Sequence, residues 1–328
     1  MRTTSKWTAV LAAVFLSTAF GHCGAASAQN YPVRPVTIIT PTAAGGGIDL
    51  TARQVAAELA DALGKPFVVV NRGGADGNLG TLDVARATPD GYTLLFTISG
   101  YQATNPALFA NLQWDPLRDF TGIAMVSRAY HMIVVNKDSS AGTLADLIAY
   151  GRANPGRLTY GSPSVGSQSS LGAEMFAQMA GIKVVAVPYR GTGPAFNDLL
   201  GGTLGFFVNT SQQLIGPLQG HAIKGLAIMS PVRHPMLPDL PTTAEAGLPG
   251  LEIDTWYALY APAGTPKEIV DLLGRKMKEI TERPEFRARV ELTGATMEYM
   301  GPDALNKFTA QEVGHWAALI KKLGIPTQ

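Results

Sequence analysis

The stretch that predicts the fold spans residues 36–50 and reads VTIITPTAAGGGIDL. Val36 to Ile39 has the β-branched composition of a buried strand, and Leu50 to Leu63 repeats apolar side chains at helical spacing. The loop between them contains three consecutive glycines, which allow a ligand to approach the backbone closely. Because a helix start presents unpaired N–H groups, this loop is expected to favour an anion. A glycine-rich turn without a ligand is the alternative interpretation.

The alternation of strand and helix continues along almost the whole chain. Two apolar stretches, 122–135 and 251–260, suit strands that pass between two lobes. Such alternation is typical of sheets covered by helices. We therefore predict an α/β fold of two Rossmann-like lobes with mixed, mostly parallel sheets and a two-strand hinge. The predicted division is a signal peptide at 1–28, lobe one at 29–130 and 254–328, and lobe two at 131–253.

Further loops rich in hydrogen-bond donors follow successive predicted strands. They are residues 72–80 and 97–101 in lobe one, and residues 161–170, 189–194 and 209–211 in lobe two. In open α/β sheets, ligands bind at the carboxyl ends of the strands. The loops together predict a cleft that holds a small anion through hydroxyl and N–H groups. The loop 72–80 is interpreted as a tight turn, with ligand contact as the alternative.

The N-terminal residues have the pattern of an export signal. Arg2 and Lys6 are the positive residues, the run 7–20 is uncharged, and the small residues 26–28 suit a signal peptidase. We predict cleavage after residue 28. Cys23 raises lipidation as an alternative, but the three residues before it, with a histidine, fit a lipidation signal poorly.

Cleavage would leave 300 residues, because it removes 28 of 328. It also removes two basic residues, no acidic residue and the single cysteine, so the net charge changes from +1 to −1. A chain of this length can bury a core without disulfides and usually forms two domains. A near-neutral charge without a basic run argues against a nucleic-acid partner.

No motif of a metal site or an enzyme is present in the sequence. The five histidines do not form H-E-x-x-H, and residues 161–165 end in valine where G-x-S-x-G needs glycine. The glycine loop matches neither G-x-G-x-x-G nor a P-loop. His131 and His234 are interpreted as surface or packing residues. We predict no catalytic residue, metal or cofactor; a periplasmic enzyme is the weaker alternative.

Six motifs occur in order along the chain, and their combination is specific although each alone is not. They are YPxRPVTI at 31–38, AAGGGxD at 43–49, NRxGA at 71–75, PDGYTLL at 89–95, PYRGTGP at 188–194 and LPTxAEAG at 240–247. From about Tyr31 to the C-terminus, the chain resembles the Bug family. Members of that family are the solute receptors of tripartite tricarboxylate transporters.

The resemblance implies a fold like that of type II periplasmic binding proteins and a location in the periplasm. It implies a monomer that captures a small carboxylate and delivers it to a permease of one large and one small membrane subunit. A receptor that feeds a signalling system is the alternative. The implied ligand contacts are Thr42, Ala43, Ala44, Gly46, Ser99 and Gly100 in lobe one, and Ser164, Gly166, Ser167, Tyr189, Gly191 and Thr192 in lobe two.

The sequence departs from the family pattern at positions that bear on the ligand. Many relatives have histidine where this chain has Ser170, aspartate where it has Asn209 and Gly205, and an aromatic residue where it has Thr42. Without a carboxylate at Asn209, lobe two suits an anion better than an amine. We therefore include Asn209 in the site and predict a dicarboxylate or aromatic acid rather than an amino acid.

Overall fold

A computed structural model describes residues 31–163 and 166–327. The predicted signal peptide, Cys23 and Ser164 lie outside the described residues. The strands are β1 (Val36–Thr40), β2 (Phe67–Asn71), β3 (Thr93–Ile98), β4 (Phe120–Asn136), β5 (Leu158–Ser162), β6 (Val184–Pro188), β7 (Phe207–Thr210), β8 (Ile223–Ile228), β9 (Asp254–Pro262) and β10 (Thr296–Met300). The helices are α1 (Gly47–Leu63), α2 (Asn78–Ala85), α3 (Asn105–Leu108), α4 (Leu144–Ala153), α5 (Gln168–Ala180), α6 (Thr192–Leu200), α7 (Ser211–Gln219), α8 (Lys267–Thr281), α9 (Pro284–Glu291) and α10 (Pro302–Leu323). A π-helical turn, Gly100–Thr104, precedes α3.

The long strand β4 joins the two lobes. Its first part pairs with β9 and β10 in a sheet of order β10-β4-β9-β3-β1-β2, and its second part pairs with β7 and β8. The change of partner falls between two consecutive residues, because Tyr130 pairs with Asp254 and His131 pairs with Thr210. The return crossing runs beside β4, where the His131 N–H donates to the Ile253 carbonyl at 3.0 Å. The predicted two-lobed α/β fold with a two-strand hinge is confirmed.

The sheets are mixed, as predicted, but antiparallel pairs outnumber parallel ones in the described part of the chain. Only β1–β2, β1–β3 and β5–β6 are parallel, whereas β4 is antiparallel to each of its four partners and β3 is antiparallel to β9. The cause is the hinge itself. Because β4 leaves lobe one and β9 returns to it, the two strands run in opposite directions.

Helices α8 and α10 pack against the long strand β4. Helix α8 buries Ile269, Leu273, Met277 and Ile280 at helical spacing, so one face packs on the sheet of lobe one. Full burial of one such side chain contributes roughly 1.5–3 kcal/mol. Trp256 of β9 is fully buried and packs in the core. Within the described ranges, no helix is both long and apolar enough to cross a membrane.

Candidate functional site

A cavity of about 1250 Å³ lies where the two lobes and the hinge meet. The N-cap residues of four helices line it: Gly46 of α1, Ser167 of α5, Gly191 of α6 and Thr210 of α7. Each helix start carries about half a positive charge and N–H groups without an acceptor inside the helix. The cavity therefore attracts anions without needing a full counter-charge.

Most of the residues predicted for the site border this cavity. Those that line it are Thr42, Gly46, Gly100, Gly166, Ser167, Tyr189, Gly191, Thr192 and Asn209. Ala43 and Ala44 are exposed in the same loop as Thr42, but they are not part of the cavity wall. Ser99 is buried behind the wall, and Ser164 is outside the described residues. As direct ligand contacts, all of the predicted residues remain predictions.

The glycine loop of lobe one is fixed by the buried carboxylate of Asp49. One carboxylate oxygen accepts the Gly45 N–H at 2.9 Å and the Arg53 Nε–H at 3.1 Å. The other accepts from Asn71 at the end of β2, at 3.0 Å, and the same amide also donates to Thr40. These bonds tie the loop to two strand ends, so the loop conformation is set before any ligand arrives.

Asp49 holds the loop although it is not the N-cap of the helix. The N-cap of α1 is Gly46, and Asp49 is the third residue of the helix, from which its carboxylate reaches back to the loop. Burial alone would raise the pKa of Asp49. Hydrogen bonds from Arg53, Gly45 and Asn71 outweigh burial and hold this pKa below its usual value. The carboxylate is therefore charged at neutral pH and is occupied by the protein itself.

The second glycine loop, 72–80, forms the expected tight turn and also borders the cavity through Asp76. A Cβ on Gly80 would lie 2.4 Å from the Arg72 carbonyl oxygen and 3.0 Å from the Pro41 Cα, so this glycine is needed for packing. Residues 74–77 all have positive φ (122°, 47°, 50° and 82°). Non-glycine residues rarely adopt such angles. This left-handed turn brings Asp76 to the cavity wall.

The floor of the cavity contains a hydrogen-bonded link between lobes and hinge. Gln168, the first residue of α5, accepts from Ser99 at 3.0 Å and from Thr255 at 2.8 Å through its Oε1. Its Nε2 donates to the Asp254 carbonyl at 3.0 Å. Ser99 thus supports the cavity by holding Gln168, and Gln168 itself lines the cavity.

The loop before α6 directs its donors partly into the protein. The Gly191 N–H donates to the Pro163 carbonyl at 3.0 Å, and the Tyr189 hydroxyl donates to Asp198 at 2.5 Å. Gly191 has φ of 99°, which places it in the left-handed region that favours glycine. Since the Gly191 N–H is occupied, the N–H groups available from this loop begin at Thr192, the first residue of α6.

The positions that depart from the family pattern carry no charge in this chain. Asn209 lines the cavity, and its amide donates to Gln213 at 2.7 Å while its oxygen accepts the Thr210 N–H at 2.8 Å. The Ser170 hydroxyl lies 2.9 Å from the Ser167 hydroxyl, within the first turn of α5. Both side chains hold helix starts in place.

Several cavity residues were not predicted from the sequence. Among the described residues, the cavity wall contains one arginine or lysine side chain, Arg190, and one carboxylate side chain, Asp76. No carboxylate of the described residues forms an ion pair with Arg190. His131 and Tyr257 come from the two hinge strands, and the Tyr257 hydroxyl donates to Gln212. Of these residues, Arg190 and Asp76 had a sequence signal, because they lie in the loops 189–194 and 72–80.

The lobes also touch directly beside the cavity. In α7, the Ser211 hydroxyl donates to the Gly294 carbonyl at 2.5 Å, and Gln212 donates to the Thr293 hydroxyl at 3.0 Å. His234 is buried with its Nε2 3.1 Å from the same Gly294 carbonyl. His234 therefore has the packing role that was predicted for it.

Comparison with known proteins gives the family. Residues 51–325 match the tripartite tricarboxylate transporter family receptor. The chain is similar to the solved structure of R. palustris Rpa4515 with adipate, at 34% identity and a TM-score of 0.84, over 91% of this chain and 100% of that one. It is similar to the periplasmic binding protein BugD at 35% identity and a TM-score of 0.80, with the same coverage. It is also similar to MatC from Rhodopseudomonas palustris with bound malate, at 30% identity and a TM-score of 0.77, over 88% and 100% of the chains.

These matches span nearly all of the described residues, and the match to BugD confirms the predicted resemblance. The chain therefore belongs to the tripartite tricarboxylate transporter receptor family, the Bug-type periplasmic solute-binding proteins.

Proposed function

We propose that the protein captures a small carboxylate between its lobes and delivers it to a tripartite tricarboxylate-type permease of one large and one small subunit. A dicarboxylate is the favoured ligand, followed by an aromatic acid. The observation that carries the proposal is the meeting of four helix N-caps in one cavity. Fixed N–H dipoles replace the water around a carboxylate at no reorganisation cost, because the loops are already held by the protein.

The expected affinity follows from the number of such hydrogen bonds. A charge-assisted hydrogen bond contributes roughly 1.5–3 kcal/mol. Three or four of them, less the cost of ordering ligand and lobes, reach the roughly 8 kcal/mol of a micromolar complex. Lobe closure strengthens each bond because it excludes water from the cavity.

Two charged side chains favour a dianion whose second carboxylate lies on the side of lobe two. Arg190 has no ion-pair partner in the described structure and can take a second carboxylate. Asp76 on the opposite wall repels an anion, so the second carboxylate belongs on the Arg190 side. Adipate and malate, named in the structures of two similar proteins, are both dicarboxylates. Asp76 also places a carboxylate at the cavity wall, where it can pair with the ammonium group of an amino acid. Amino acids are therefore included in the binding test.

We further propose that the mature protein is a periplasmic monomer that begins after residue 28. Lobe boundaries at 29–130, 131–253 and 254–328 are supported by the change of pairing between Tyr130 and His131. A deletion strain tests the partner. Loss of uptake of the bound acid supports transport, whereas intact uptake with altered transcription supports the signalling alternative and contradicts delivery to a permease.

Calorimetric titration of residues 29–328 tests the ligand class. The panel is adipate, malate, succinate, citrate, phthalate, aspartate and glutamate, with adipamide as an uncharged control matched to adipate in shape. We expect micromolar binding of at least one dicarboxylate or aromatic acid and none of adipamide. Tighter binding of an amino acid than of every other acid would contradict the ligand class, and binding of none would contradict the function.

A further inference from the structure

His131 occupies a special position in the hinge. It is the first residue of β4 that pairs with β7 instead of β9, so it lies where the two lobes join. Its exposed fraction is 1%, and it lines the cavity. This position allows His131 to contact a ligand held between the lobes.

The His131 ring is buried without the hydrogen bond that buried polar groups normally make. Its Nδ1 has no partner. The nearby Ile253 carbonyl acts to raise the pKa of the ring, yet it makes no hydrogen bond of normal geometry with Nδ1. Burial dominates and lowers the pKa of His131 to about 4. The imidazole is thus neutral at pH 7 in the ligand-free protein.

No charged neighbour in the described structure accounts for the state of this ring. Strand β7 and helix α7 carry no charged side chain. The charged or titratable groups on the cavity wall and on the other elements around the ring are Asp76, Tyr101, Arg190, Tyr189, Tyr257, Glu174 of α5, Lys224 of β8, Glu252, and the pair of Arg128 and Asp254. None of them is among the causes of the lowered pKa. The described structure thus supplies no charged partner for the ring, and the cavity is a side from which a ligand can supply one.

We propose that His131 contacts the bound carboxylate and that its imidazole takes up one proton from solvent when the ligand binds. The inference rests on the proposed function and adds a residue and a proton to it. A carboxylate within a few ångströms favours the imidazolium, and it does so strongly where water is excluded. A dianion would then face two cations, the imidazolium and the guanidinium of Arg190. Binding should therefore be tighter at lower pH.

The experiment measures proton uptake on binding. Adipate and malate are titrated calorimetrically into the mature protein at pH 6–7.5, in two buffers of different ionisation enthalpy. We expect roughly half to one proton per ligand, and a Kd that falls by up to about tenfold per pH unit as the pH decreases. H131N should take up no proton and lose that dependence. H315N is the control, because it removes an exposed histidine of α10 that is outside the cavity, and it should behave as wild type.

The possible results distinguish a failure of the proposed role of His131 from a failure of the proposed function. Tight binding by the wild type without proton uptake would overturn the role of His131, whether or not any variant folds. Uptake that persists in H131N, or in H131Q if H131N does not fold, would overturn it as well. The ligand's own titration is the same for every variant, so the difference between proteins isolates His131. Failure of every acid to bind would instead overturn the proposed function.

Discussion

Replacing Gly46 with valine should abolish ligand binding and leave the fold almost unchanged. The backbone of Gly46 has φ of −82° and ψ of 170°, an extended conformation open to any residue. A Cβ there meets no atom within 4 Å, so the fold does not resist it. Because glycine is a better N-cap than valine, we expect a loss of about 0.5–1 kcal/mol, or a Tm about 1–2 °C lower.

The effect on binding should be much larger than the effect on stability. A valine at Gly46 stands where the anion meets the start of α1. Loss of two charge-assisted hydrogen bonds would cost roughly 3–6 kcal/mol, which weakens Kd by about 10²- to 10⁴-fold. Calorimetry with the tightest acid measures this loss, and G314V on the exposed face of α10 is the control. A folded G46V protein with wild-type Kd would refute the proposed site.

Three further changes test separate parts of the structure. Arg190→Gln should weaken dicarboxylate binding about 10- to 100-fold but leave the monocarboxylate hexanoate unchanged, and an equal loss for both acids by calorimetry would contradict its role. His131 has a pKa of about 4 when folded and 6.5 when unfolded, so the ligand-free protein should lose about 3 kcal/mol of stability as pH falls through that window. Urea unfolding should show a flatter pH profile for His131→Asn, and an unchanged profile would contradict burial of a neutral ring. Gly80→Ala should cost about 1–3 kcal/mol, since its Cβ would meet the Arg72 carbonyl, and an unchanged Tm would be the opposing result.

Much of the fold could be predicted from local patterns. Helix α4 spans residues 144–153 and helix α10 spans residues 302–323. Both have an apolar face at helical spacing and clear boundary residues. The crossing strand predicted at 122–135 is β4, because a continuous apolar run suits a strand buried on both faces. The prediction that the loops meet in one cleft rested only on their position after successive strands. Most of the predicted site residues do line one cavity.

The features that could not be predicted depend on partners distant in the sequence. Strand β10 contains TMEYM, which lacks a clear alternation and becomes a strand by pairing with β4. The antiparallel majority arises from the return of β9, which no local pattern records. Asp76 reaches the cavity through a left-handed turn that its sequence does not specify. His131 reaches it because β4 changes partner at that residue.

A crystal structure of the protein with its tightest-binding acid tests the central claim most directly. The claim is that the N-termini of α1, α5, α6 and α7 together bind one carboxylate ligand between the lobes. We predict carboxylate oxygens within hydrogen-bond distance of N–H groups at the starts of α1 and α6, with a second carboxylate beside Arg190. An acid bound outside this cavity, or held there without contact to either helix start, would contradict the account.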